Sequence, residues 1–248
     1  LNTLRNEKTR LTNPSVSLEL DGSCTSPVRP LRGVLHTTNA GRVTVSATRL
    51  NTTGWECGYN NEAILKDEAA LRKLLLPRTR QTMTRNYVGL PEYETRDDSI
   101  ELQLKEPGVY LVEVASDKAE NTVSRQLCYV TTLFVINQAL SKHKIRYAIV
   151  DAQSGQPVAG AHLRLYYRKM GPNYPERTVN LTADKKGEVI WQSTGERSTP
   201  DYIWAWTPQD KSFPAARSFT QYYRRGSSGK RKQTLVYTDR AVYRPGQT

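Results

Sequence analysis

The sequence predicts an all-β chain of two tandem β-sandwiches, with one short helical insertion in the first. Three observations carry this. Short runs alternate apolar and polar side chains with a period of two and are separated by turn residues. Those runs are rich in β-branched and aromatic residues, including 14 Tyr and 4 Trp in 248 positions. Only one stretch has the composition of a helix.

Taken in order, residues 1–14 are a polar lead-in punctuated by Asn13-Pro14. Ser15 to Leu20 alternates as a half-buried strand and ends at the Asp21-Gly22 turn. Gly33 to His36 and Val43 to Ala47 form a candidate pair around a turn at Asn39-Ala40-Gly41. Residues 62–76 are dense in Ala, Leu, Glu and Lys, with Ile64, Leu65, Leu71, Leu74 and Leu75 at helical spacing and Pro77 as a stop. Residues 78–98 are expected to be a long polar connection. Strands resume at Ile100 to Leu104 and Val109 to Val114, with the Glu106-Pro107-Gly108 turn between them, and a long apolar strand is expected from Gln126 to Ile136.

Asn137 to Lys144 is expected to connect the two sandwiches. The second series runs through Ile145 to Val150, the turn Asp151 to Gln156, His162 to Tyr167, and a hairpin of Val179 to Thr182 with Glu188 to Trp191. Tyr202 to Thr207 is aromatic-rich and expected to be buried on one face. Phe219 to Tyr223 and Gln233 to Thr238 are the last candidates. The expected organisation is therefore a lead-in (1–14), a first sandwich (15–136) with a helix near 62–76, a second sandwich (137–233), and the opening of a third module (234–248).

No run approaches the roughly 20 apolar residues of a membrane helix, and no N-terminal apolar signal region is visible. The chain begins at Leu1, which predicts a piece of a longer protein. Cys24, Cys57 and Cys128 are too few and too scattered for a zinc ribbon or a disulfide scaffold. Three buried reduced thiols are the expectation, with one disulfide plus one free thiol as the alternative.

The net charge of +12 is uneven. Residues 1–136 hold 17 Lys and Arg against 16 Asp and Glu, whereas residues 137–248 hold 19 against 8. The densest basic run is Arg217, Arg224, Arg225, Lys230, Arg231 and Lys232, a candidate polyanion patch beside Tyr222 and Tyr223. The Gly226-Ser227-Ser228-Gly229 interruption equally fits a solvated loop tip, and nucleic acid is not the expected partner.

Catalytic chemistry finds no foothold. His36, His143 and His162 lack metal-ligand spacing. The carboxylate pairs Asp67-Glu68 and Asp97-Asp98 sit in polar stretches, where neighbours face solvent more often than they share a proton. Gly226 to Lys230 lacks the spacing of a phosphate loop, and no nucleophile elbow is present. No catalytic, cofactor or metal residue is assigned, and no enzyme is expected.

The last fifteen residues, Thr234 to Thr248, contain Tyr237-Thr238-Asp239-Arg240 and Tyr243-Arg244-Pro245-Gly246. This stretch resembles the opening motif of a macroglobulin-like domain in the alpha-2-macroglobulin family. The run Asp151 to Leu163, the turn Thr182 to Glu188 and the strand start Glu106 to Val112 are similar to further sandwich motifs of that family, with Leu163 where Val is common and Ala183 inserted. The arrangement is most like the bacterial envelope proteins of the Bacteroides type. The resemblance implies immunoglobulin/fibronectin-like (macroglobulin-like) sandwiches, and a non-catalytic scaffold fragment of a protein that traps endopeptidases. It also implies a periplasmic or cell-envelope location, with a lipid anchor on the full-length protein as a variant. Implied partners are proteases, through the full-length protein, and further domains of the same chain. The family's Cys-x-Glu-Gln thioester motif is absent from this sequence. The alternatives are an envelope adhesion or ligand-binding protein and a polyanion-binding module. Two further expectations are that residues 1–248 alone inhibit no protease, and that the segment after Gln233 is disordered or domain-swapped.

Overall fold

A computed structural model describes residues 8, 11–53, 61–118, 124–193 and 199–217, apart from positions 90, 92, 142, 171, 173 and 174. Fifteen strands are present among them. The first eight are β1 (Ser15–Leu20), β2 (Cys24–Thr25), β3 (Leu31–Thr38), β4 (Arg42–Arg49), β5 (Gln81–Asn86), β6 (Thr95–Leu102), β7 (Gly108–Ser116) and β8 (Ser124–Val130). They build a three-stranded sheet, β1-β3-β6, and a five-stranded sheet, β2-β8-β7-β4-β5. All pairings are antiparallel except β2 with β8.

Alternation dictates the core between these sheets. Val16 and Leu18, Leu31 and Leu35, and Ile100 and Leu102 point inward from one sheet; Val43, Val45, Ala47, Val112 and Val114 answer from the other. Each large side chain so buried contributes about 1.5–3 kcal/mol relative to exposure. Strand β7 is buried along both faces, which needs a lid on its far side. The helix α1 (Glu68–Leu74) and the 3-10 turn Asn61–Lys66 before it supply that lid. Leu71 of α1 packs with Leu50, Val109, Leu111, Leu127 and Tyr129.

The remaining strands are β9 (Leu133–Ser141), β10 (Lys144–Asp151), β11 (His162–Tyr167), β12 (Arg177–Thr182), β13 (Glu188–Gln192), β14 (Tyr202–Trp206) and β15 (Ala216–Arg217). They form a second pair of sheets, β13-β10-β9 and β12-β11-β14-β15. Tyr147, Ile149, Leu163, Leu165, Tyr167, Ile203 and Ala205 fill the space between them. The architecture is thus all-β, in two sandwiches.

Several expectations change. The stretch at 62–76 is not one helix: Asp67 divides it, accepting from Ala70 N at 2.9 Å as the N-cap of α1. The polar connection at 78–98 contains β5 and the start of β6. Strand β5 is an exposed edge with a single apolar residue, Met83, packed on the core, so it lacks an alternation signal. The long strand at 126–136 is two strands, broken at Thr131-Thr132, and β9 runs on through the expected connector to pair with β10. Phe134 and Ile136 face solvent at 55% and 43% exposure, so an apolar run is not a buried one here. In β14 the small residues point inward; Tyr202, Trp204 and Trp206 lie on the opposite, half-exposed face.

Candidate functional site

The turn motifs of the second sandwich have a direct physical basis. Asp151 Oδ1 accepts from Gln153 N (3.1 Å), Ser154 N (2.8 Å) and Ser154 Oγ (2.8 Å), and Gly155 follows at φ +70°. Asp184 Oδ1 accepts from Lys186 N (2.8 Å) and Glu188 N (3.0 Å). These bonds hold both carboxyls below the ordinary aspartate value, the backbone donors being the leading cause. Gly187, at φ +69°, sits where a Cβ would lie 2.7 Å from Ile149 O and 2.9 Å from Val158 N. The motif positions therefore close tight turns that carry the chain from one sheet to the other; the expected hairpin of Val179 to Thr182 with Glu188 to Trp191 does not form, because β12 pairs with β11 and β13 with β10 in opposite sheets.

Of the ionisable residues singled out from sequence, the fold brings His36 and Asp97 together, while the others go to separate places. His36 on β3 meets Asp97 on β6, Nδ1 to Oδ1 2.6 Å, and Glu19 on β1, Nε2 to Oε2 3.7 Å. Hydrogen bonding to Asp97 raises this imidazole above its ordinary 6.5. Asp98, next in the strand, points to the other face and accepts from Tyr87 OH at 2.5 Å. Asp67 caps a helix while Glu68 pairs with Arg72 and Arg125, both at 3.1 Å. His162 stacks on Trp206, and His143 follows β9. Cys24 is free and, contrary to expectation, an exposed residue, although its thiol is packed closely enough for burial, with the charge of Asp210, to push it up to about 11. Cys128 is free and buried, its thiol pushed up to about 12. Both thiols are thereby kept protonated at neutral pH. Among the described residues no three His, Cys, Asp or Glu side chains could hold a metal ion, and no helix is long and apolar enough to cross a membrane.

Cys57 lies outside the described residues. So do Arg224, Arg225, Lys230, Arg231 and Lys232, the segment after Gln233 and the whole motif from Tyr237 to Gly246. Of the basic run only Arg217 is placed, on β15 opposite Tyr202 of β14.

Sequence reasoning missed the junction between the sandwiches. Asp210 is 3% exposed and belongs to the loop after β14. Its Oδ2 accepts from Thr131 Oγ1 (2.7 Å), Thr132 N (2.7 Å) and Thr132 Oγ1 (3.0 Å). Its Oδ1 accepts from Ser212 N at 2.9 Å and faces Ser212 Oγ. Ser212 Oγ also lies 2.5 Å from Val130 O, at the end of β8. Thr131 N in turn donates to Thr25 O at 3.0 Å. Burying a carboxylate is costly unless its oxygens are satisfied. Here the inter-sandwich linker satisfies Oδ2, and Ser212, in the same loop as Asp210, satisfies Oδ1. A Thr-Thr pair and an Asp 78 residues later carry no local signature, so only the assembled fold reveals the joint.

Two sandwiches in tandem, tied by a buried side chain at the linker, define the class: an all-β pair of sandwich domains. Two of the solved structures that this chain resembles are bacterial. A crystal structure of native alpha-2-macroglobulin from Escherichia coli spanning domains MG0-NIE-MG1 superposes with a TM-score of 0.57 at 13% identity, covering 83% of this chain and 64% of that one. A second, spanning NIE-MG1, gives 0.52 at 14% identity, covering 80% of this chain and 95% of that one. The chain thus shares the fold of these alpha-2-macroglobulin domains and spans about two thirds of the length of the larger piece. No protein-family model matches the chain, and no curated protein does.

Proposed function

We propose that this chain is a non-catalytic scaffold segment of a bacterial alpha-2-macroglobulin-like protein that traps endopeptidases. The carrying observation is the tandem of two sandwiches, which matches the NIE-MG1 pair of the Escherichia coli protein over nearly all of that pair. The Tyr237 to Gly246 motif supports the same reading, because it resembles the opening motif of a macroglobulin-like domain. On this reading the parent is a periplasmic or envelope protein of the Bacteroides type, whose partners are proteases and its own further domains. The role of this segment is to hold neighbouring domains at a set geometry.

The test uses the full-length gene product and trypsin. Trapping leaves a bound protease active on a small chromogenic peptide but shielded from a large protein substrate. That pattern for the full-length protein, and none for residues 1–248, is the expected outcome. Stoichiometric inhibition by residues 1–248 alone, or no shielding by the full-length protein, would refute the scaffold reading.

A further inference from the structure

The outer faces of the two sandwiches differ in chemistry. On the first, across β1, β3 and β6, charges are matched within the face. Arg32 pairs with Glu101 at 2.7 Å, and His36 with Asp97 and Glu19. This is an ordinary solvated surface. On the second, across β12, β11 and β14, register places His162 beside Trp206 and Thr182, and Arg164 beside Trp204 and Asn180. No position of this face in these three strands holds Asp or Glu.

The side chains form a ridge. Trp204 and Trp206 stack with centroids 4.7 Å apart and ring planes 26° apart, and His162 stacks on Trp206 at 5.1 Å. The Arg164 guanidinium lies 5.5 Å and 5.4 Å from the two Trp centroids. Its Nε donates to Asn180 Oδ1 at 2.9 Å, which fixes the plane of the fork. Among the described residues Arg164 has no carboxylate partner. Two indoles held at the surface, while the same strand turns Ala205 and Ile203 inward, are not needed for the core.

We propose that this ridge docks an acidic protein segment. Carboxylates of the partner would engage the Nη groups of Arg164 through the paired geometry a guanidinium favours, and apolar side chains would pack on the indole edges. Trp, Tyr and Arg clustered on a rigid support are the residues that dominate protein–protein contacts. Single-stranded nucleic acid fits less well, because bases need open ring faces and Trp206 is already stacked with both Trp204 and His162. A patch three strands wide and five residues long is about 14 by 17 Å, smaller than one side of a standard stable interface of about 800 Å². The contact is therefore weak and reversible, with a dissociation constant in the micromolar range.

The test is calorimetric titration of residues 1–248 with a random copolymer of Glu and Tyr at low salt, where surface electrostatics are least screened. Arg164→Gln is expected to weaken binding by about tenfold or more, the loss of one interface anchor. Arg164→Lys, which keeps the charge but loses the fork, should fall between. Arg32→Gln on the matched face is the control and should change affinity by less than about twofold, the scale of an exposed ion pair. Circular dichroism confirms that each variant is folded. No copolymer binding, or equal losses in the two Gln variants, overturns the proposal. So does tighter binding of a 20-nucleotide thymidine strand that Arg164→Gln abolishes, since the site would then serve nucleic acid.

Discussion

Replacing Asp210 by Ala tests whether the joint between the sandwiches is made by one side chain. The substitution removes the acceptor for Thr132 N and Ser212 N, and for the hydroxyls of Thr131, Thr132 and Ser212. The hydroxyls can rotate toward other acceptors; the two backbone donors cannot. A buried donor left without an acceptor costs about 1–3 kcal/mol, so the two together give about 2–6 kcal/mol. That is a large fraction of the roughly 5–15 kcal/mol by which a domain is stable. Asp210→Asn keeps one oxygen and turns an amide toward the remaining donors, so it should lose about half as much. Urea unfolding followed by tryptophan fluorescence measures both variants. A double-mutant cycle with Thr131→Val isolates the 2.7 Å bond between Thr131 Oγ1 and Asp210, with an expected coupling of at least about 0.5 kcal/mol. A loss below about 1 kcal/mol for Asp210→Ala, or additivity in the cycle, would show that the junction does not depend on this carboxylate.

Three further outcomes follow from the geometry. Gly187→Ala should lose about 2–4 kcal/mol, since the left-handed backbone alone costs about 1–2 kcal/mol and the added Cβ meets Ile149 O at 2.7 Å; a thermal midpoint within 2 °C of the parent, as a rough allowance for measurement scatter, would contradict this. Tyr147 is fully buried and its hydroxyl has no hydrogen-bond partner among the described residues, so Tyr147→Phe should hold stability or raise it by about 1 kcal/mol; a loss above about 1 kcal/mol would reveal a partner. The His36 imidazole should titrate above 6.5 by NMR. Because the folded value is raised, its small stabilisation is fully present below 6.5 and disappears as pH rises through the folded value, so His36→Gln should cost stability at pH 5.5 and nothing at pH 9, with exposure limiting the effect to about 0.5 kcal/mol.

The fold was largely legible because alternation and turn chemistry report directly on strands. Ser15 to Leu20 and His162 to Tyr167 fall on observed strands with the apolar face buried, and Val109 to Val114 lies inside β7, which is buried on both faces. Where sequence and structure part, hydropathy fails to report on burial or pairing. Phe134 and Ile136 lie in an apolar run and face solvent. The polar Gln81 to Asn86 was read as connection and is an edge strand. The burial of β14 on one face is met, and it is Ile203 and Ala205 that occupy the core while the indoles stand outside. The joint was invisible for another reason. Asp210, Ser212 and Thr131 are ordinary polar residues in sequence, and their chemistry arises only when two loops far apart in the chain are folded against each other.

The joint also bears on how a scaffold of this kind transmits position. The linker between the sandwiches is only Thr131-Thr132, and β9 starts at the next residue. So short a connection still leaves a torsional choice. Asp210 removes that choice by binding both hydroxyls and one N–H of the linker from the second sandwich, while Ser212 reaches Val130 at the end of β8. The orientation of one module on the next is therefore encoded in a loop of the second module, not in the linker. A displacement delivered to β14 or its following loop would reach the first sandwich through three hydrogen bonds to one carboxylate oxygen. That arrangement is what the proposed scaffold role would require.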